Sequence, residues 1–325
     1  MRKILGAMVL GLAFAGCGKG DESGGGKPPP AATKGRIGLS VLTLTNPFFK
    51  TIADTMTAEA RRHGYEVVVV SGEFDVARQQ NQVKDFIVQK VRAIVLTPCD
   101  SKAIGPSIRE ANEAGIPVFT ADIACLAPEG KVVCHVATDN YQGGRLAAEA
   151  LIEALGGKGK VAILDHPVAE SVMLRTRGFR EVLAETKRKG TSNLEIVAVL
   201  PGGGSRDKSF QASEDMLQAH PDLAGIFAIN DPSALGAIAA LERARALDRV
   251  KIVGFDGQIE GKKAIRDGKI YADPVQFPDR IGTETVKVIL KYFAGEDLPR
   301  EVLIPTILYR KADAEKDPEL GEKAP

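Results

Sequence analysis

Tryptophan is absent from this chain of 325 residues, and aromatic residues make up only 5% of it. That scarcity argues against a surface that grips nucleic acid by stacking on its bases. An excess of one charge is lacking too. Forty-three basic residues face 42 acidic ones, a net charge of +1, so no overall field draws the chain to DNA or to acidic polymers. No stretch in the body is apolar for long enough to form a spanning helix. The four histidines, His63, His135, His166 and His220, are scattered without the regular spacing a zinc site needs. No cofactor or metal is therefore expected. What is present is 44% hydrophobic and 26% charged residues. That is the composition of a folded body with sizeable cores, not of a disordered chain. At about 100–200 residues per domain, the length allows two domains.

The beginning of the chain reads differently from the rest. Arg2 and Lys3 precede an apolar run, residues 4–14, broken only by glycines. It is too short to span a bilayer and fits the apolar centre of a secretory signal. Phe14-Ala15-Gly16-Cys17 then resembles the lipobox of a bacterial lipoprotein signal. The expectation is removal of residues 1–16 and acyl chains on Cys17, which would anchor the chain to a membrane. The alternative is an ordinary secretory signal followed by an incidental cysteine. Residues 17–35, rich in Gly, Pro and Lys, cannot bury apolar surface and read as a flexible tether. An extracytoplasmic, membrane-anchored body follows.

Export also bears on the other cysteines, Cys99, Cys125 and Cys134. An odd set in an oxidising compartment suggests one pair and one buried thiol. Cys125 and Cys134 flank a short loop, so they are the expected disulfide.

From Arg36 onward β-rich runs alternate with helical ones. Strands are expected at 36–43, 65–71, 93–96 and 117–120, with helices at 48–63, 77–90 and 104–114 between them. The pattern restarts after Asp139. Helices are expected at 141–155, 175–189, 210–219 and 233–245, and strands at 160–164, 195–200, 223–229 and 251–255. Nearly continuous apolar strands alternating with helices imply an α/β protein whose parallel sheets are covered on both faces. Two such runs imply two doubly wound lobes. Ligands in these folds lie at the carboxyl ends of the strands.

The strand ends carry a recurring kind of residue. Thr45-Asn46-Pro47-Phe48-Phe49 follows the first strand, Ala121-Asp122 the fourth, Asn230-Asp231 and Asp256-Gly257 two strands of the second lobe, and Gln276 a later extended run. Carboxylates and amides beside aromatic rings suit sugars. A hydroxyl both donates and accepts, and an aromatic face packs on the C–H surface of a sugar ring.

With Ala137-Thr138-Asp139-Asn140, Gly143-Gly144, Ala234-Leu235-Gly236-Ala237, Val253-Gly254-Phe255-Asp256-Gly257 and Gln276-Phe277-Pro278, these motifs resemble the ribose-type periplasmic sugar-binding proteins. The resemblance runs from about Arg36 to Leu308, and the motifs stand in the family's order. It implies a non-enzymatic receptor with two doubly wound lobes joined by three crossovers, closing on a sugar and delivering it to an ABC importer permease. It also implies a division into an N-terminal lobe, 36–138 plus 277–303, and a C-terminal lobe, 139–276 plus 304–325, in a chain that works as a monomer. Asn46, Phe48, Asp122, Asn230, Asp256 and Gln276 should line the cleft, with Phe49 as a second aromatic wall, Arg175 as a charged donor and Thr97 at lower rank.

Four positions depart from the ribose-type pattern. Ile123 stands where an Arg follows the strand-end Asp, and Thr97 where an Asn stands. Met173 occupies the position of a pocket Arg about five residues before Gly178-Phe179, leaving Arg175 one helical step nearer, as in fructose-type relatives. The run Gly202-Gly203-Gly204 replaces an aromatic expected before Arg206. A lost charged hydrogen bond costs about 1.5–3 kcal/mol, enough to change preference. The departures point from ribose itself toward another hexose, ketose or polyol.

Other readings are weaker. Gly156-Gly157-Lys158-Gly159-Lys160 lacks the spacing and hydroxyl of a phosphate loop. No nucleophile elbow surrounds Ser205. Asp122 and Asp256 could imitate a glycosidase pair. A sugar sensor without transport is a further alternative. A transcriptional regulator would need a DNA-binding helix pair where this chain has a signal and a tether.

Overall fold

Residues 33–321 are described by a computed structural model of the chain. The signal, Cys17 and the tether up to residue 32 lie outside the described residues. The last tether residues are already held on the body: Lys34 N–H donates to Gly64 O at 2.8 Å, and Gly35 O accepts from Glu66 N at 3.1 Å.

Strand β1 (Arg36–Val41) opens the first lobe and is buried along nearly its whole length, as a central parallel strand must be. Helix α1 (Pro47–Arg62) starts where Asn46 accepts the Phe48 N–H and proline presets the first turn. It stops before Gly64, whose φ of +84° is one that L side chains rarely adopt. Strand β2 (Glu66–Ser71), α2 (Val76–Val88), β3 (Ala93–Leu96), α3 (Gly105–Glu113), β4 (Val118–Ala121) and β5 (Val132–Thr138) complete the first pass. The second lobe follows as α4 (Asn140–Ala154), β6 (Lys158–Asp165), α5 (Glu170–Arg188), β7 (Asn193–Pro201), α6 (Arg206–Ala219), β8 (Leu223–Ala228), α7 (Asp231–Arg243), β9 (Lys251–Val253), α8 (Ile259–Arg266) and β10 (Ala272–Val275). Helix α9 (Pro278–Phe293) and strand β11 (Glu301–Ile304) belong to the first lobe again, and β12 (Ile307–Arg310) and α10 (Lys311–Ala314) to the second.

The strand order is β11-β5-β4-β3-β1-β2 in one sheet and β12-β10-β9-β8-β6-β7 in the other. Every pairing is parallel except β10 with the edge strand β12. The chain passes between sheets after β5, after β10 and between β11 and β12. Two doubly wound lobes joined by three crossovers are therefore the architecture. The largest buried cluster runs from Leu39 and Ile289 in the first lobe to Phe179 and Phe227 in the second. The last two rings stack at 4.6 Å.

Three features differ from the sequence reading. Strand β5 (Val132–Thr138) runs where the sequence reading has only the end of a short loop at Cys134. Helix α5 starts at Glu170, five residues before the position that apolar spacing suggested, where the hydroxyl of Ser101 in the other lobe accepts the Glu170 N–H. The expected Cys125–Cys134 disulfide is not made; both are free thiols. A bulge in β5 shifts register between Val132 and His135. Cys134 enters the cluster that includes Phe119 and Val136, whereas Cys125 packs against the cluster of Phe86, Ile104 and Ile108 on the other face of the sheet. Sulfurs on opposite faces cannot meet the narrow geometry of a disulfide.

Candidate functional site

All the motif-bearing loops converge at the carboxyl edges of the two sheets. Asn46, Phe48 and Phe49 follow β1, Asp122 follows β4, Asn230 follows β8, Asp256 follows β9, Gln276 follows β10, and Arg175 projects from the second turn of α5. These eight residues line one cavity between the lobes, with about 440 Å³ of empty space counted to its mouth. Thr97 does not line it. It lies fully buried beneath, its carbonyl accepting from Gln79 Nε2. Met173 points away and is 41% exposed, so Arg175 is the arginine that serves the cavity.

Arg175 is the hub of the second-lobe wall. It is only 4% exposed, and its guanidinium lies 3.9 Å from the Phe255 ring centroid. Nε donates to Asn140 Oδ1 at 2.8 Å, and Nη1 donates to Ile229 O at 2.6 Å and to Asp256 Oδ1 at 3.3 Å. Nη2 has no hydrogen bond to the described residues and remains free as a donor. Such close seating requires that α4 and α5 nearly touch. A Cβ on Gly144 would stand 2.0 Å from the Arg175 carbonyl oxygen, so only glycine fits there.

Asp256 is held by three groups. Besides Arg175, Gln276 Nε2 donates to its Oδ1 at 2.6 Å and Gln258 Nε2 to its Oδ2 at 3.1 Å. Its φ of +106° is a strained value for a residue with a side chain, typical of backbone held for function. Asp122, in the opposite lobe, also has a left-handed φ, +64°. Its Oδ1 is buried with no partner. Burial pushes its pKa up to about 7, and although Arg175 opposes the shift, Asp256 and Glu170 add to it. Burial also raises the Asp256 carboxyl against the pull of Arg175 and its amide donors.

The amides are partly spent on the fold. Asn46 Oδ1 caps α1 and Asn230 Oδ1 caps α7, at 2.9 Å each; Asn230 Nδ2 donates to Gly204 O. Asn46 Nδ2 has no hydrogen bond to the described residues, and Asn46 lines the cavity. Gln276 Oε1 is a second buried acceptor without a partner. The cavity thus offers unsatisfied acceptors on Asp122 and Gln276, free donors on Arg175 and Asn46, and the edge-to-face pair Phe48–Phe49, 5.2 Å apart.

Among the lining residues that the sequence reading does not place in the site are Leu42, Phe74, His166, Ala169, Ser171, Val172 and Ile229. Phe74 follows β2 and His166 follows β6, so the strand-end rule itself could have found them. His166 had been considered only as a metal ligand. Among the described residues no group of three or more His, Cys, Asp or Glu side chains could hold a metal ion.

Comparison with known proteins decides the family. Residues 37–297 match the family model described as a periplasmic binding protein domain. The chain belongs to the periplasmic binding protein family. The ribose import binding protein of Salmonella typhimurium is 37% identical over 82% of this chain and 87% of its own length. The D-apiose import binding protein of Paraburkholderia graminis is 34% identical over 83% and 86%. Among solved structures, an ABC transporter periplasmic solute binding protein of Actinobacillus succinogenes with bound D-allose superposes with a TM-score of 0.79. It is 28% identical, over 87% of this chain and all of that one. A solute binding protein of Mycobacterium smegmatis with bound glycerol gives 0.79 at 32% identity, over 87% and 96%. The two-lobed frame described above is therefore shared with these solved structures.

Proposed function

We propose that this chain is an extracytoplasmic sugar receptor that holds a monosaccharide between its lobes and delivers it to an ABC importer, without catalysing a reaction. The observation that carries this reading is the pair of buried, unpartnered acceptors, Asp122 Oδ1 and Gln276 Oε1, facing one cavity alongside the free donor edge of Arg175. A buried polar atom left unpaired costs about 1–3 kcal/mol. A polyol removes that cost, because each hydroxyl donates and accepts. The names of the relatives, import proteins for ribose and apiose, support the same class.

Asn46, Phe48, Phe49, Asp122, Arg175, Asn230, Asp256 and Gln276 are the proposed ligand contacts. Ile123, 2% exposed and lining the cavity, gives the Asp122 side an apolar neighbour, and this favours a neutral ligand over a sugar acid or phosphate. Residues 36–138 with 277–303 form the proposed first lobe, and 139–276 with 304–325 the second. The chain is proposed to act as a monomer anchored by acyl chains on Cys17.

Calorimetric titration with D-ribose, D-allose, D-apiose and a panel of hexoses, ketoses and polyols tests the reading. Saturable binding with a rise in melting temperature is expected for at least one, with no chemical change in it. Flat titrations across the panel would overturn it, and turnover of a sugar by the pure protein would move the chain to the enzymes.

A further inference from the structure

A second space adjoins the central cavity. Asn46, Phe74 and Gly204 border the cavity and also border this space, of about 240 Å³. Of the residues that border both spaces, the second lobe contributes only Gly204, which has no side chain; it and Gly203 have left-handed φ values, +65° and +61°. The first lobe offers the Phe74 ring, 40% exposed on a backbone at φ +59°. Its edge meets the His166 ring at 6.3 Å across the cleft. His166 Nε2 is buried with no hydrogen-bond partner, and the residue lines the central cavity. An aromatic ring, an unsatisfied imidazole nitrogen and a glycine without a side chain therefore lie close together at this border.

The space beyond is mixed in character. Pro47 and Leu235 are apolar, Thr45 and Gln258 are neutral hydrogen-bonding groups, and Arg206 and Glu260 carry opposite charges. Apolar walls would suit a hydrocarbon tail, and charge of one sign an ion. Mixed neutral donors and acceptors with an aromatic ring suit a hydroxylated ring, as in the central cavity.

We propose that the site accepts a sugar bearing a second hydroxylated unit, a disaccharide or comparable glycoside. The first ring lies in the central cavity and the second in the adjoining space, and His166 Nε2 bonds a ligand hydroxyl at the passage. This rests on the sugar-receptor reading and extends it from monosaccharides to their glycosides.

The test is titration of the purified full-length chain with D-ribose, D-allose and D-apiose. Each sugar is used free, and as its mono-O-methyl and mono-O-glucosyl derivatives at every hydroxyl. At least one glucosyl derivative should bind no more than about threefold more weakly than its parent sugar. Glu260→Trp, an exposed position that fills the second space, should weaken that derivative at least about tenfold and leave the parent within about twofold. Arg206→Trp should repeat the pattern from a second exposed position. If parents bind and every derivative is at least about 100-fold weaker, the second compartment is overturned and the receptor reading stands. It is likewise overturned if both tryptophan variants leave the derivative unaffected. If no parent and no derivative binds, the receptor reading falls together with this extension.

Discussion

Ser101 of the first lobe caps a helix of the second: its hydroxyl accepts the Glu170 N–H at 2.9 Å. The Ser101 N–H also donates to Val168 O at 3.0 Å. Helix α5 needs this help, because its own N-cap residue is Ala169, which offers no side-chain acceptor. The bond joins the two lobes in this structure, and it completes the helix that carries Arg175.

Ser101→Ala should therefore weaken ligand binding without unfolding either lobe. Loss of an N-cap costs about 0.5–2 kcal/mol, and the loss falls on the closed state alone. A ligand gains only what it can draw from differences between states. Sugar affinity should fall by about 2- to 30-fold, with little change in the melting temperature of the ligand-free protein. Titration calorimetry on the two proteins checks this, and equal affinities would show that the cap has no part in closure.

Asp256 invites an alanine substitution, but the structure changes what that variant reports. Removing the carboxylate leaves the Arg175 charge buried without its ion-pair partner, which costs about 3–5 kcal/mol when a buried pair is broken. Asp256→Ala should thus lose both sugar binding and several degrees of melting temperature. Asp256→Asn keeps the shape and an acceptor, so it should lose less stability yet still bind at least about tenfold more weakly. If the asparagine variant bound like the parent, the Asp256 charge would be irrelevant to the ligand.

Seven of the eight cleft residues were legible in the sequence because they stand just after strands whose apolar runs mark their ends; Arg175, inside a helix, was legible only through the resemblance, by its step before Gly178-Phe179. The orphaned state of Asp122 and Gln276 was not legible, since it depends on which donors arrive from the other lobe. The early start of α5 was hidden for the same reason: Ser101 lies 69 positions away in sequence from the amide it caps. The cysteine pair misled because a short loop measures separation along the chain and says nothing about which face of a sheet each sulfur enters. A bulge in β5 settled that, and bulges leave little trace in apolar patterning.

Acidity gives a signed prediction. The folded pKa of Asp122 is about 7, against about 3.9 in an unfolded chain. Between roughly pH 4 and 7 the native state holds a proton that the unfolded chain has released, so stability falls as pH rises through this window and levels off above it. Asp231 and Asp273, also buried with raised pKa values, act in the same direction. The ligand-free melting temperature should rise on acidification from pH 8 to 5, with a shallower slope in Asp122→Asn. A ligand whose hydroxyl donates to the carboxylate favours its charged form, so sugar affinity should strengthen from pH 5 to 8. Identical slopes in the two proteins would remove Asp122 as the source.

Gly144 permits the approach of α4 to α5 on which the whole arginine hub depends. A methyl group there would have to push back the Arg175 carbonyl oxygen, 2.0 Å away, and backbone cannot swing aside as a flexible side chain can. Overpacking of this kind costs about 1–3 kcal/mol or more. The displaced helix would also pull Nη1 from the Ile229 carbonyl and shift Nη2 in the cavity. Gly144→Ala should consequently lower the melting temperature by several degrees and reduce sugar affinity, although residue 144 lies outside the cavity lining. A control at Gly156, where a Cβ meets nothing within 4 Å, carries only the strain of a left-handed φ and should leave affinity unchanged. Equal effects of the two substitutions on affinity would refute the packing role assigned to Gly144.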